Sequence, residues 1–280
     1  MAGRRGTAAV IVNYRTKDLT LAAARSALAQ PDVEELVIVD NASGDDSAAF
    51  LRDALAAAAA KVTVVESSAN GGFARGANLG AHHALAPLLL FLNSDAQLQD
   101  GALSCLVDRL LESETTAIVA PAAYGPDGEP QRDAFGRFPK LSIVRGGAPE
   151  SDSRLPDWVS ALAMVVRRED FSAIGGFDSD YEMYMEDVDL CRRFRLQGRV
   201  VRREPAAAVR HLGGGSWSSS VEQRIRFQAS KITYFRKAGA TSWQLAYLHA
   251  VKAARVLLAR GAAAWRGWAR TPLWAGRQSH

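Results

Sequence analysis

Cysteine is scarce in this chain: Cys105 and Cys191 are the two in 280 residues. Each falls in a segment patterned as helix, and they form no pair-spaced metal motif, which fits a reduced, cytosolic setting. Long apolar runs are missing too. None reaches the roughly 18 residues that a membrane span needs, and the N-terminus shows no apolar leader of the secretory kind. Glycine is absent from the turn after the first expected strand, which reads Asn13-Tyr14-Arg15-Thr16-Lys17; a dinucleotide-binding oxidoreductase would carry its glycine-rich turn there. Acidic residues cease after Glu222. From 221 onward there are 11 Lys/Arg against that one acid, whereas 1–220 hold 23 Lys/Arg against 29 Asp/Glu, so a body at −6 carries a tail at +10. Such asymmetry calls for an anionic partner, nucleic acid or membrane surface. The tail has no zinc spacing and no reader motif, so nucleic acid is set aside.

With 48% hydrophobic residues the chain can bury a sizeable core. Apolar strand-length runs at 8–14, 36–40, 62–66, 88–93 and 117–121 alternate with helical segments at 19–30, 46–60, 73–84 and 101–111. That pattern predicts a parallel sheet covered on both faces. The second half is less regular: a hairpin turn at 124–129, a loop at 140–156, a strand at 158–167, a helix at 187–196 and short strands at 200–203 and 207–210. The expected organisation is an α/β domain over 1–220, with a nucleotide half at 8–121 and an acceptor half at 122–220. A basic helical extension follows over 221–280.

In open α/β sheets, ligands bind beyond the carboxyl ends of the strands. Polar and acidic residues gather at four such ends: Asn13-Tyr14; Asp40-Asn41 with Ser43; Asn70, Gly72, Phe73, Arg75 and Asn78; and Asn93-Ser94-Asp95. Asp40 offers acceptors to a base or ribose, or caps the next helix. The glycine-rich run from 70 to 80 would let backbone approach a diphosphate, or serves helix packing. Asp95 suits a hard divalent cation whose other ligands are phosphates and water. Glu186-Asp187 follow an apolar aromatic flank that would desolvate a carboxyl group, as a general base needs, although acids at a helix start are also commonplace. His211, before a glycine run at 213–215, is either structural or joins a carboxylate on a metal.

Taken in order, Val12-Asn13-Tyr14, Val39-Asp40-Asn41-Ala42-Ser43-Gly44-Asp45, the run Asn70 to Gly80, Leu92-Asn93-Ser94-Asp95, Gly175-Gly176-Phe177-Asp178 and Tyr184 to Leu190 resemble family 2 glycosyltransferases of the GT-A fold. The resemblance covers roughly 8–217 and is nearest the rhamnosyltransferase-like subgroup. It implies a Rossmann-like, mostly parallel sheet flanked by helices, and transfer of a sugar to an acceptor hydroxyl with inversion. On this basis Asp40 meets the nucleotide, Asp95 and His211 hold Mg²⁺ or Mn²⁺, and Asp187 is the catalytic base beside Glu186. Asn13, Tyr14, Asn41, Ser43, Asn70, Gly72, Phe73, Arg75, Asn78, Asn93 and Ser94 would line the nucleotide-sugar site. The metal-binding triplet departs from the family in its first position, Asn93 for Asp. The subgroup implies dTDP-L-rhamnose as donor and a lipid-linked N-acetylglucosaminyl diphosphate as acceptor, in cell-wall or polysaccharide assembly. A UDP-hexose or UDP-galactofuranose donor, and a non-catalytic sugar-nucleotide binder, are the alternatives.

The segment 243–268 reads as one helix, with Trp243, Tyr247, Trp265 and Trp268 near its ends and Lys252, Arg255, Arg260, Arg266 and Arg270 available for lipid phosphates. Tyr247, Val251, Ala254 and Leu258 make one apolar stripe, with Arg255 leaning into it. The expectation is a helix lying on an anionic membrane at its cytoplasmic face; packing against the enzyme body is the alternative.

Overall fold

The computed structural model describes residues 5–131, 134–139, 154–212 and 221–269; within the last stretch, the side chains of 221–224, 255–256 and 258–269 lie outside the description. The chain divides into two compact units, Met1–Trp217 and Ser218–His280.

In chain order the elements of the first unit are β1 (Thr7–Asn13), α1 (Lys17–Leu28), β2 (Val33–Asp40), α2 (Ser47–Ala54), β3 (Val62–Glu66), α3 (Gly72–His83), β4 (Leu88–Leu92), β5 (Ala96–Leu98), α4 (Ala102–Leu111), β6 (Thr116–Tyr124), β7 (Phe135–Gly136), β8 (Trp158–Val159), β9 (Ala163–Arg167), α5 (Arg168–Ala173), α6 (Glu186–Leu196) and β10 (Val200–His211). Eight strands form one sheet in the order β3-β2-β1-β4-β9-β6-β10-β5, and β7 pairs with β8 alone. Strands β1 and β4 are buried along nearly their whole length, because helices cover both faces. One face packs Ala23, Ala24 and Ala27 of α1, Leu51 of α2 and Leu103, Leu106 and Leu110 of α4. The other packs Ala74 and Ala77 of α3, Phe171 of α5 and Leu190, Cys191 and Phe194 of α6.

The sheet is mostly parallel, as the sequence pattern implies, but β9 runs antiparallel between β4 and β6, and β5 runs antiparallel along β10. The expected strand over 158–167 is two strands. Residues 160–162 cross from the small sheet to the large one, the Ser160 N–H donating to the Ala134 carbonyl and the Asn93 N–H to that of Leu162. The two short strands expected at 200–203 and 207–210 are one strand, β10, with an irregularity between Glu204 and Ala208. Pro205 sits inside it and has no N–H to donate, which is where sheets tolerate proline. The alanine run stops being α-helical at Ala54 and continues as a short 3₁₀ turn, because Leu55 is drawn into the core. At 124–129 the turn is present, with Gly125 N–H donating to Glu129 O. Of the loop expected at 140–156, residues 140–153 lie outside the described residues, as does the glycine run at 213–215.

The strand order reverses between β1 and β4, each of which is paired to the other while β2 extends one way and β9 the other. Ligand crevices open at such switch points, beyond the carboxyl ends of the strands. Here those ends carry Asn13 and Asn93.

The second unit contains α7 (Val221–Lys237) and α8 (Ser242–Ala269), which pack together. Gly239, at φ +85°, turns the chain between them, and Ala240 N–H donates back to Phe235 O, closing α7. Among the described residues no helix is long and apolar enough to cross a membrane.

Candidate active site

One side of the crevice is a hydrogen-bonded lattice at the ends of β1 and β2. Asn13 is fully buried and donates from Nδ2 to Asp40 Oδ1 (2.7 Å), while its Oδ1 accepts from Thr20 Oγ1 (2.8 Å). Asp40 Oδ1 also accepts from the Ser43 hydroxyl (2.5 Å), and Oδ2 accepts from the Ser43 N–H (3.1 Å). These bonds fix the carboxylate and leave Oδ2 with a lone pair for a further donor. Arg15, at φ +57°, donates from Nε to Ser43 O (2.9 Å) and lies 5.3 Å over the Tyr14 ring, which is 42% exposed. Ser94 accepts from Thr16 Oγ1 (3.2 Å), tying the end of β4 to the same lattice.

Asn41 and Asn70 shape the entry to α3. Asn41 Nδ2 donates to Asn70 Oδ1 (3.0 Å) and to Gly72 O (3.1 Å); its Oδ1 accepts from Gly71 N–H (3.3 Å), and Asn70 Oδ1 accepts from Gly72 N–H (3.0 Å). The glycines of this run serve packing. A Cβ on Gly76 would stand 2.8 Å from Val12 Cγ1 and one on Gly80 2.4 Å from Val10 Cγ1, so α3 lies directly on β1. A Cβ on Gly72, at φ +79°, would stand 1.9 Å from the Glu182 carbonyl oxygen.

Two of the residues expected at the nucleotide-sugar are placed in the framework instead. Asn78 donates from Nδ2 to Phe177 O (2.7 Å) and accepts from Phe177 N–H (2.9 Å), clipping α3 to the Gly175-Gly176-Phe177 turn. Phe73 packs edge-on to Phe177 (5.5 Å between centroids), which in turn meets Phe91 and Phe171. Arg75 is exposed, with its aliphatic stem over Gly71. Asn93 is half-buried, its N–H bonded to Leu162 O.

Asp95 and His211 are brought together by the antiparallel pairing of β5 with β10, which sets His211 opposite Ala96. Leu212 N–H donates to Asp95 O (2.8 Å) and locks the register. His211 Nε2 stands 3.3 Å from Asp95 Oδ2, both side chains being almost fully buried. His211 Nδ1 faces Gln131 Oε1 at 3.0 Å. An amide oxygen only accepts, so Nδ1 is the donor in that contact, and Nε2 is the ring nitrogen that faces the carboxylate. Asp95 Oδ2 is buried with no hydrogen-bond donor. A buried carboxylate oxygen and an imidazole nitrogen facing one another are both ligand types for a divalent cation. Two ligands of one octahedral cation at about 2.1 Å stand about 3 Å apart, so the pair fits a small divalent ion. Among the described residues no group of three or more His, Cys, Asp or Glu side chains could hold a metal. The fit therefore depends on phosphate and water completing the shell, as Mg²⁺ allows.

Glu186 and Asp187 open α6. The two residues before them, Tyr184 and Met185, both sit at φ +70°. Side chains rarely adopt that region, at a cost of about 1–3 kcal/mol each, and it recurs at functional sites. Asp187 Oδ1 accepts from Val188 N–H (2.7 Å) and Oδ2 from Ala161 N–H (3.2 Å), with the Ser160 hydroxyl also bonded to it. Desolvation nevertheless raises its pKa above the usual carboxylate range. Glu186 is buried, its Oε2 has no hydrogen-bond partner, and desolvation together with the Asp187 charge pushes its pKa to about 8. At neutral pH Glu186 therefore keeps its proton, and Asp187 also holds a proton more tightly than an ordinary carboxyl group. The third acid, Asp189, accepts from Arg193 Nε (2.7 Å) and Tyr181 OH (3.3 Å); Arg193 also donates to Ile174 O and Gly176 O. Sequence reasoning did not find Gln131, Ser160, Ala161 or Arg193, whose roles arise from contacts distant in the chain.

Comparison with known proteins gives three findings. Residues 8–183 match the model of glycosyl transferase family 2. The chain is 30% identical over 144 residues to N-acetylglucosaminyl-diphospho-decaprenol L-rhamnosyltransferase of Mycobacterium tuberculosis strain H37Rv, covering 44% of this chain and 46% of that protein. It is also 30% identical over 136 residues to rhamnosyltransferase WbbL of Escherichia coli K12, covering 44% and 51%. The chain thus spans about half the length of these curated relatives. Among solved structures, GalNAc-T7 with UDP, GalNAc and Mn²⁺ superposes with a TM-score of 0.64 at 15% identity, covering 81% of this chain and 48% of that one. Mannosyltransferase PcManGT of Pyrobaculum calidifontis, in complex with GDP-Man and Mn²⁺, gives 0.62 at 17% identity, covering 97% and 76%. These two likenesses show the fold, GT-A.

Proposed function

This chain belongs to glycosyl transferase family 2, and we propose that it is an inverting enzyme that moves L-rhamnose from dTDP-L-rhamnose onto a hydroxyl of a lipid-linked saccharide. The observation that carries the reading is Asp187: a carboxyl group aimed by two backbone N–H groups and kept at raised proton affinity by burial, beside a Glu186 that burial keeps protonated. Such a group can take the proton of an acceptor hydroxyl as that oxygen attacks the anomeric carbon from the face opposite the leaving diphosphate. One displacement inverts the configuration and needs no second nucleophile.

On the donor side, Asp40, held by Asn13 and Ser43, offers acceptors to the nucleoside, and the exposed Tyr14 ring under Arg15 offers the base a stacking face. Asp95 and His211 would hold a divalent cation, Mg²⁺ or Mn²⁺, which when bound offsets charge on the departing diphosphate. Rhamnose as the sugar and a lipid-linked acceptor follow the activities for which the two relatives are named, dTDP as its carrier follows the subgroup resemblance, and the same acceptor would place the enzyme at the cytoplasmic face of a membrane. The test is a panel of nucleotide sugars offered to the purified protein, with transfer and donor hydrolysis followed. The dTDP-L-rhamnose donor should turn over fastest; faster turnover of a UDP-hexose or UDP-galactofuranose rejects the donor assignment. An Asp187→Asn protein that still binds nucleotide but has lost turnover would separate an enzyme from a sugar-nucleotide binder.

A further inference from the structure

The second unit carries an exposed apolar stripe that differs from the one its sequence pattern suggests. Trp243, Tyr247 and Leu257 are 68%, 44% and 71% exposed, and Ala250 and Ala254 between them are exposed as well. Their spacing of four, three, four and three residues is that of one face of a helix. The stripe runs about 21 Å along α8 at the helical rise. Of the set Tyr247, Val251, Ala254 and Leu258, Val251 instead turns half inward, while Leu248 of α8 and Tyr234 and Phe235 of α7 are buried; the side chain of Leu258 lies outside the described residues. So the hairpin has an inside of its own, and among the described residues an aromatic-ended face of α8 is exposed.

We propose that this face of α8 lies on an anionic lipid bilayer, with Trp243 and Tyr247 in the headgroup zone and Leu257 below it. The charge of the unit selects the occupant. From 223 to the end of the chain there is no acidic residue, and the unit from 221 onward carries 11 Lys/Arg against Glu222 alone. A second copy of this unit would bring the same excess positive charge to the contact, whereas an anionic surface meets it with opposite charge; each basic residue near such a surface contributes about a fivefold factor in binding. Because no helix described is long and apolar enough to cross a bilayer, α8 lies along it. Aromatic rings that are half apolar and half polar are suited to that depth. The inference extends the proposed lipid-linked acceptor, since enzyme and acceptor would then meet in two dimensions.

The experiment is flotation of the full chain with phosphatidylcholine vesicles and with vesicles containing phosphatidylglycerol, at low and high salt, without substrates. Donor hydrolysis is measured separately, so the membrane face and the transferase reading can fail independently. Binding should be at least about tenfold tighter to the anionic vesicles and should weaken with salt, because surface attraction is screened over about 10 Å at 0.1 M. The W243A/Y247A/L257A protein should lose at least about tenfold in vesicle binding at unchanged donor hydrolysis. Leu257→Glu, a single change at an exposed position with helix content checked by circular dichroism, should weaken binding as well. Indifference of the wild-type chain to anionic vesicles overturns the proposal, as does unchanged binding by both variants. Self-association that these substitutions abolish, with no vesicle binding, assigns the face to a second copy and overturns it too.

Discussion

Replacing Glu186 by Gln tests whether this carboxyl holds its proton in the folded chain. Glu186 is 7% exposed, Oε2 has no partner, and its pKa rises from 4.5 to about 8, first through desolvation and then through the Asp187 charge. The unfolded chain releases this proton near 4.5 while the folded chain keeps it to about 8. The folded state therefore binds more protons across that window, and stability falls as pH rises through it. Each pH unit within the window costs about 1.4 kcal/mol, so by pH 7 the penalty reaches about 3 kcal/mol. Below the unfolded value it is absent, and above about pH 8 it levels off.

Gln has the shape of the protonated acid and cannot ionise, so the variant lacks this slope. It brings one extra buried donor, a constant cost of about 1–3 kcal/mol if left unpaired. The difference in stability between variant and wild type should therefore shift in the variant's favour by about 3 kcal/mol between pH 4.5 and 7, whatever its starting value. For a body of this size that is about 6–12 °C in Tm. Urea or thermal melts of both proteins at pH 5, 6, 7 and 8 measure it. Turnover should stay within about tenfold of wild type, because the proposed base is Asp187 and not Glu186. Parallel pH curves for the two proteins would show that Glu186 ionises normally and would refute the reading of a protonated Glu186 beside Asp187.

The base assignment predicts that Asp187→Asn lowers turnover by about two to four orders of magnitude with donor affinity nearly unchanged; retention of more than about a tenth of wild-type turnover refutes it. The acid limb of the wild-type turnover profile should lie above the usual carboxylate range, because the raised Asp187 pKa means the base is lost as pH falls through it. Excess chelator should abolish turnover, and His211→Ala should weaken Mn²⁺ binding in the presence of nucleoside diphosphate by calorimetry; full activity in chelator, or unchanged Mn²⁺ binding, returns His211 to a structural role. Gly72→Ala should cost more than about 2 kcal/mol, since it adds both positive-φ strain and a collision with Glu182 O; a melting curve matching wild type would mean the contact yields freely.

The sequence made the parallel core readable because buried parallel strands are continuous apolar runs: Leu88–Leu92 is apolar at every position, and Thr7–Asn13 nearly so. It also pointed to the ends of those strands, where Asn13, Asp40 and Asp95 stand. It did not reveal the direction of β9, because an antiparallel strand buried on both faces has the same composition as a parallel one. Nor did it separate ligand-approach glycines from packing glycines. Gly76 and Gly80 look alike in sequence whether a diphosphate or Val12 and Val10 lie opposite. The His211–Gln131 contact and the Asn78–Phe177 clip were out of reach for a different reason: a side chain bonded to a residue 80 or 99 positions away leaves no local period to detect.

Those distant contacts decide how the base is held. The segment from Ile174 to Met185 has two consecutive non-glycine residues at positive φ, a conformation that persists only where its surroundings over-determine it. At its start, Arg193 grips Ile174 O and Gly176 O while Asn78 grips the Phe177 backbone at both N–H and carbonyl. Near its end, the Glu182 carbonyl rests on the bare Cα of Gly72, at a point where Asn41 and Asn70 fix the turn. Asn41 in turn follows Asp40 directly and donates its N–H to Asn13 O. The strained pair Tyr184-Met185 is thus anchored on one side by α6 itself and on the other by the nucleotide edge of the sheet. Asp187 emerges two residues past the anchored stretch, with Ala161 N–H meeting its carboxylate from the crossing between the two sheets. On the proposed assignment, a base held this way is aimed before substrate arrives, so little reorganisation is left for the moment of proton transfer.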